Sequence, residues 1–169
     1  MKRHLILLGC ATVLMLAAAS ALFSLRAEHQ LRPFVRGSWQ EILRAHAGRP
    51  TMIHFWGVTC GPCKVELPLL GEFMKKEPGL DVVLISADLV PDLPDATWTM
   101  LQKASAEKAE NWIFNDGFAE RLRFEVDPTW QGEIPRTVLI GRDGQQTTME
   151  GVAEFAEIKS WLEKQKRSQ

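Results

Sequence analysis

Cys60-Gly61-Pro62-Cys63 follows a run of β-branched and aromatic residues, Thr51-Met52-Ile53-His54-Phe55-Trp56, and precedes a stretch of helical composition reaching about Lys76. No other feature constrains the fold as strongly. The run predicts a strand. Gly57 to Gly61 break it, and a helix starts near Pro62, whose missing N–H is no loss in a first turn. Both cysteines therefore fall at a strand-to-helix junction. At a helix N-terminus, unpaired N–H groups and the macrodipole favour an anion. Cys60, on the outer side of that turn, is expected to form a thiolate more readily than a free cysteine. Such a thiolate attacks a disulfide, and Cys63, one turn on, resolves the mixed disulfide by attacking Cys60. The alternatives are half of a zinc site or two core cysteines. A zinc site needs two more ligands. Only His54 and His46 lie near in sequence, and there is no second cysteine pair.

The third cysteine of the 169-residue chain, Cys10, lies in an uncharged run from Leu5 to Leu25 behind the basic Met1-Lys2-Arg3-His4. That run matches the ~30 Å hydrocarbon thickness of a bilayer, and the basic flank orients it with Lys2 and Arg3 in the cytoplasm. An uncleaved anchor fits its length. A cleaved signal peptide fits Ala19-Ser20-Ala21, and Leu7-Leu8-Gly9-Cys10 resembles a lipobox. Each places the remainder outside the cytoplasm, in a bacterium on the periplasmic side, where disulfides persist. The expected layout is a signal anchor or signal peptide over 1–27, a tether and short helix over 28–48, and one folded domain over 49–169. A net charge of −1 with 24% charged residues offers no electrostatic footprint for nucleic acid. Three cysteines exclude a disulfide-stapled miniprotein.

Within the remainder, Ser38-Trp39-Gln40-Glu41 reads as a capping box opening a helix to about His46. Asp81 to Ser86 reads as a buried strand, 96–111 as a helix, and Trp112 to Phe114 as a short strand. Phe118 to Phe124 reads as a short helix, Arg136 to Ile140 as a strand, Arg142-Asp143-Gly144 as a hairpin turn, and Gln145 to Glu150 as the returning strand. Ala153 to about Lys166 is an amphipathic helix, and Pro68 is expected to kink the helix that carries the cysteines. Alternating strands and helices followed by a hairpin predict an α/β fold with a central mixed sheet flanked by helices.

Phe55-Trp56-Gly57-Val58-Thr59-Cys60-Gly61-Pro62-Cys63-Lys64 resembles the active-site segment of the thioredoxin superfamily. Cys63-Lys64-Val65-Glu66-Leu67-Pro68 is similar to its TlpA/ResA-like branch, exported and often membrane-anchored thiol-disulfide reductases. Ile134-Pro135-Arg136-Thr137 and the turn Gly141 to Gly144 extend the resemblance over roughly 49–161. It implies a thioredoxin-like fold, no cofactor and no resident metal. It implies a cis bond at Pro135, with the Ile134 backbone open to an extended substrate. Trp56, Gly61, Pro62, Ile134 and Pro135 are then the substrate-contacting residues, Trp56 as a packing or groove-lining ring.

Glu66 matches an acidic position near the thiols of the ResA-like reductases, suited to exchanging protons. His54 is a departure, since thioredoxins carry a buried Asp there. A neutral imidazole at that place serves as proton acceptor for Cys63 or is a hydrogen-bonded core histidine. Thr59 also departs, standing where the family usually has Trp. Gly61-Pro62 is the dipeptide that the family associates with low-potential reductants. The implied partners are exported proteins with disulfides, such as apocytochrome c or a copper-site precursor, and a transmembrane thiol donor of the DsbD/CcdA kind. An oxidase or isomerase, a Cu(I) carrier using the same cysteines, and a non-catalytic binding module are the other classes such residues serve.

Overall fold

A computed structural model of the chain describes residues 31–88 and 94–167. The apolar run from Leu5 to Leu25, and with it the expected anchor or signal, lies outside the described residues. Among the described residues no helix is long and apolar enough to cross a membrane.

Six strands form one mixed sheet: β1 (Arg32–Phe34), β2 (Thr51–Trp56), β3 (Asp81–Ser86), β4 (Glu110–Phe114), β5 (Arg136–Ile140) and β6 (Gln146–Glu150). Their spatial order is β1-β4-β3-β2-β5-β6. β2 runs parallel to β3, β3 to β4 and β1 to β4, while β5 and β6 are antiparallel additions. Among the described residues four helices connect them, α1 (Ser38–Ala45), α2 (Gly61–Lys76), α3 (Pro94–Lys103) and α4 (Ala119–Val126), and α5 (Phe155–Arg167) follows β6. β2, β3 and β5 coincide with the expected strands because their β-branched, apolar runs suit strands covered on both faces.

Period-two alternation divides each central strand between two cores. Met52 and Trp56 of β2 join Leu67 and Leu70 of α2, Leu101 of α3, and Ile158 and Leu162 of α5 on one face. Ile53 and Phe55 join Trp39 and Ile42 of α1, Leu122 of α4 and Trp130 on the other. His54, between Ile53 and Phe55, therefore faces α2, the helix that carries Cys63. α2 runs without a break through Pro68. At Gly71 a Cβ would lie 1.8 Å from the Ala104 carbonyl oxygen, so only glycine lets α2 approach the chain leaving α3.

Three local expectations are corrected. The capping box does not form: α1 is capped by Gly37 at φ +86° without a side-chain bond. Ser38 Oγ instead accepts the Val35 N–H, and Glu41 pairs with Arg32. The helix expected over 96–111 stops at Lys103. There the Ser105 N–H donates to the Gln102 carbonyl and the Ala106 N–H to that of Leu101, with Ser105 at φ +55°. This is a Schellman ending built on serine where glycine is usual, which frees Glu110 and Asn111 for β4. Finally, Arg32–Phe34, within the stretch expected as a tether, pair with Trp112–Phe114 as an edge strand. Pro33 is compatible with that edge position.

Candidate active site

Cys60 is the N-cap of α2, and Pro62 occupies its first turn. The Cys60 and Cys63 sulfurs are joined as a disulfide across a Cα–Cα distance of 5.3 Å. The two cysteines differ in access. Cys60 is half-buried, with Gly61 and Pro62 exposed beside it, whereas Cys63 is 0% exposed. The Cys63 N–H donates to Cys60 Sγ at 3.2 Å. A helix N-terminal N–H already aimed at this sulfur favours negative charge on it once the disulfide opens.

The Ile134–Pro135 bond is cis. It presents the Ile134 carbonyl oxygen 3.7 Å from Cys60 Sγ. A disulfide sulfur has no hydrogen to donate, so in this oxidised state the approach is a contact. A Cys60 thiol would have that hydrogen. The Pro135 carbonyl accepts the Gly151 N–H, and the next residue, the buried Arg136, pairs with Asp127 and with Glu150. The proline loop is thus braced from two sides. Trp130 supports it further, donating its indole N–H to the Glu133 carbonyl at 2.9 Å.

Behind the sulfurs lies a buried polar pair. Glu66, on α2 one turn beyond Cys63, is 1% exposed and accepts the Ala153 N–H at Oε1, 2.7 Å away. His54 is 0% exposed, with Nδ1 2.9 Å from Thr137 Oγ1 on the adjacent β5. His54 Nε2 and Glu66 Oε2 face each other at 3.8 Å, beyond hydrogen-bond reach, and neither has another hydrogen-bond partner. Burial lowers the His54 pKa to about 4, leaving the imidazole neutral near pH 7. Burial raises that of Glu66 against the opposing effect of the Ala153 hydrogen bond, so its carboxyl holds a proton more readily than an exposed one.

Of the residues singled out from sequence, Cys60, Gly61, Pro62 and Ile134 reach the surface around the disulfide, Cys63 and Pro135 are buried just behind it, and Glu66 and His54 are buried as well. Trp56 is corrected: at 1% exposure it is a core residue of β2 and presents no surface to a substrate. Asp88, which sequence reasoning did not single out, reaches the turn before Cys60. Its carboxylate accepts the backbone N–H of Val58 and of Thr59. Thr137 and the Ala153 N–H were also missed. These contacts cross 30, 83 and 87 positions of sequence, and no local pattern signals them.

No protein-family model matches the chain. The sporulation thiol-disulfide oxidoreductase A of Bacillus subtilis is 25% identical over 134 residues, covering 73% of each chain. Among solved structures, MTB DsbF superposes with a TM-score of 0.59 at 17% identity, over 72% of this chain and 84% of that one. A secreted Mycobacterium tuberculosis disulfide oxidoreductase gives 0.55 at 21% identity, over 69% and 82%. StoA from Bacillus subtilis gives 0.50 at 23%, over 69% and 84%. These structural likenesses show the fold. The chain thus has a thioredoxin-like fold with a closed Cys60–Cys63 disulfide at a helix N-terminus, and it is similar in sequence to a thiol-disulfide oxidoreductase.

Proposed function

We propose that the protein reduces disulfides in exported proteins, working on the periplasmic face of a bacterial inner membrane to which residues 5–25 anchor it. The unequal access of the two sulfurs carries this reading: Cys60 is reachable, and Cys63 is sealed behind it. In the reduced chain, the Cys60 thiolate attacks one sulfur of a client disulfide. A Cys60–client bond forms, and the other client sulfur leaves as a thiolate. Cys63 then loses its proton and attacks Cys60 Sγ. The second client thiolate leaves, and the Cys60–Cys63 disulfide remains, the state described above. The client gains two electrons and the chain loses two. A transmembrane thiol donor of the DsbD/CcdA kind restores the dithiol.

Glu66 is the proton acceptor for Cys63. It is buried on the same face of α2, and its burial-raised pKa suits it to take and return a proton. Neutral His54 faces the carboxyl oxygen that has no other partner. Clients such as apocytochrome c or a copper-site precursor are polypeptides, and the surface beside Cys60 suits a polypeptide. Pro62, Val65 and Leu69 are exposed at helical spacing along α2, Val65 by 72%. Gly61-Pro62 supports the reducing direction.

In full-length protein, Cys60→Ser is expected to reduce exchange to the uncatalysed background, and Cys63→Ser to accumulate a covalent mixed disulfide with the client. Wild-type turnover by Cys60→Ser would remove the mechanism. A measured potential near ~−270 mV supports the reductase, whereas one near ~−120 mV would make the protein an oxidant.

A further inference from the structure

The register between β2 and β3 places an acid where the sequence shows no connection. Trp56 is opposite Ser86, and the Ala87 N–H donates to the Trp56 carbonyl at 2.8 Å. The two chains therefore leave the sheet side by side, and Asp88 arrives alongside Gly57. A Cβ on Gly57 would lie 2.5 Å from Asp88 Oδ1 and 2.8 Å from Oδ2, so glycine makes room for the carboxylate. The Cys60 N–H donates to the Gly57 carbonyl at 3.3 Å, closing the turn that delivers the reactive sulfur.

Within that turn Asp88 is fully engaged. Oδ2 accepts the Val58 N–H at 2.5 Å and the Ser86 hydroxyl at 3.3 Å. Oδ1 accepts the Thr59 N–H at 3.0 Å and the Thr59 hydroxyl at 2.5 Å. A carboxylate has about four acceptor sites, and all are used. The four donors are neutral, so the charge is held in place without being cancelled by any of them. Thr59, the departure from the family's usual Trp, supplies two of these donors.

We propose that Asp88 is the positioning residue of the reactive sulfur, its carboxylate holding the Gly57–Cys60 turn in shape and its charge restraining thiolate formation at Cys60. The helix N-terminus pulls the sulfur toward the anion, and a fixed negative charge hydrogen-bonded to the adjoining Thr59 opposes that pull. Where the two balance sets how good a leaving group Cys60 is and how strongly the dithiol is favoured. This presupposes Cys60 as the attacking sulfur, as proposed above.

The test uses the full chain equilibrated with reduced and oxidised glutathione, with Cys60 ionisation followed by thiolate ultraviolet absorbance. Asp88→Asn removes the charge at nearly constant size. Its Cys60 is expected to ionise at lower pH, and its dithiol-to-disulfide ratio at fixed glutathione composition to rise about threefold or more. Gly57→Ala, which crowds the carboxylate out of the turn, is expected to slow attack on oxidised glutathione about tenfold. Unchanged ionisation and an unchanged ratio in a folded Asp88→Asn protein would overturn the proposal. So would a Gly57→Ala protein exchanging at the wild-type rate. Should the variants not fold, the wild-type chain decides: the carbon resonance of the Asp88 carboxyl is expected to inflect where Cys60 ionises, and a flat trace refutes the coupling. A wild-type chain that never exchanges with glutathione instead refutes the role of Cys60 itself.

Discussion

Among the described residues two histidines face carboxyl groups, and their surroundings differ. His46, the C-cap of α1, lies at the end of the sheet where the interior strands β3 and β4 begin. Its Nδ1 is 2.8 Å from Asp81 and its Nε2 3.1 Å from Glu110. Arg49 also pairs with Asp81, and Arg32 with Glu110. Every charge there meets an opposite one. His54 lies in the middle of β2, wholly buried, with its Nε2 3.8 Å from the Glu66 carboxyl. Both regions combine a histidine with carboxyl groups. Near water and with partners in contact, these residues form a network that ties strand ends together. Sealed off and held just out of contact, they have perturbed proton affinities and unmet hydrogen-bonding capacity, properties that recur where protons are exchanged.

The comparison is open to measurement. The largest expected effect belongs to His54. Its folded pKa of about 4 lies below the unfolded value of 6.5, so the unfolded chain binds the proton first as pH falls. The stability it contributes is complete above pH 6.5 and is lost down to about pH 4, a loss of ~3 kcal/mol. Denaturant melts at pH 7 and pH 4 should show this loss in wild type and not in His54→Gln. An equal slope in both proteins would mean that another group carries it. His46→Ala should cost about 1.5 kcal/mol by removing its two hydrogen bonds at the strand ends, Asp81 keeping Arg49 and Glu110 keeping Arg32, while thiol ionisation and exchange rate stay at wild-type values. A shift in either would show the two regions to be coupled. The smallest effect belongs to Glu66→Gln. Because burial raises the Glu66 pKa, wild type loses stability as pH rises through that value, and the variant does not. Gln should therefore be the more stable at pH 8. It should also resolve mixed disulfides more slowly, which stopped-flow exchange would detect.

The parts legible in the sequence are those written locally. β2, β3 and β5 were readable as apolar, β-branched runs bounded by turn residues, and the redox pair from its place between a strand and a proline-started helix. Local signals misled where a tertiary contact outweighed them. Residues 104–111 have helical composition, but Ser105 takes a left-handed conformation and ends α3. Ser38 and Glu41 have capping-box spacing, but each found a different partner. Trp56 stands beside the redox segment in sequence, yet strand alternation points it into the core with Met52. Arg32–Phe34 is too short and polar to read as a strand until β4 lies beside it.

By itself the sequence determined which atoms can react: two sulfurs three residues apart, at the end of a helix that stabilises an anion. It also determined the order of strands and helices from α1 onward, since propensity and periodicity act over neighbouring residues. Only the tertiary structure decided what surrounds those sulfurs. Which sulfur is accessible, which carboxyl loses its water, and that Asp88 reaches the Gly57–Cys60 turn all follow from strand register and helix packing. Desolvation and hydrogen bonding depend on distances in space, and the hydrogen-bonded groups concerned lie 29 or more positions apart along the chain.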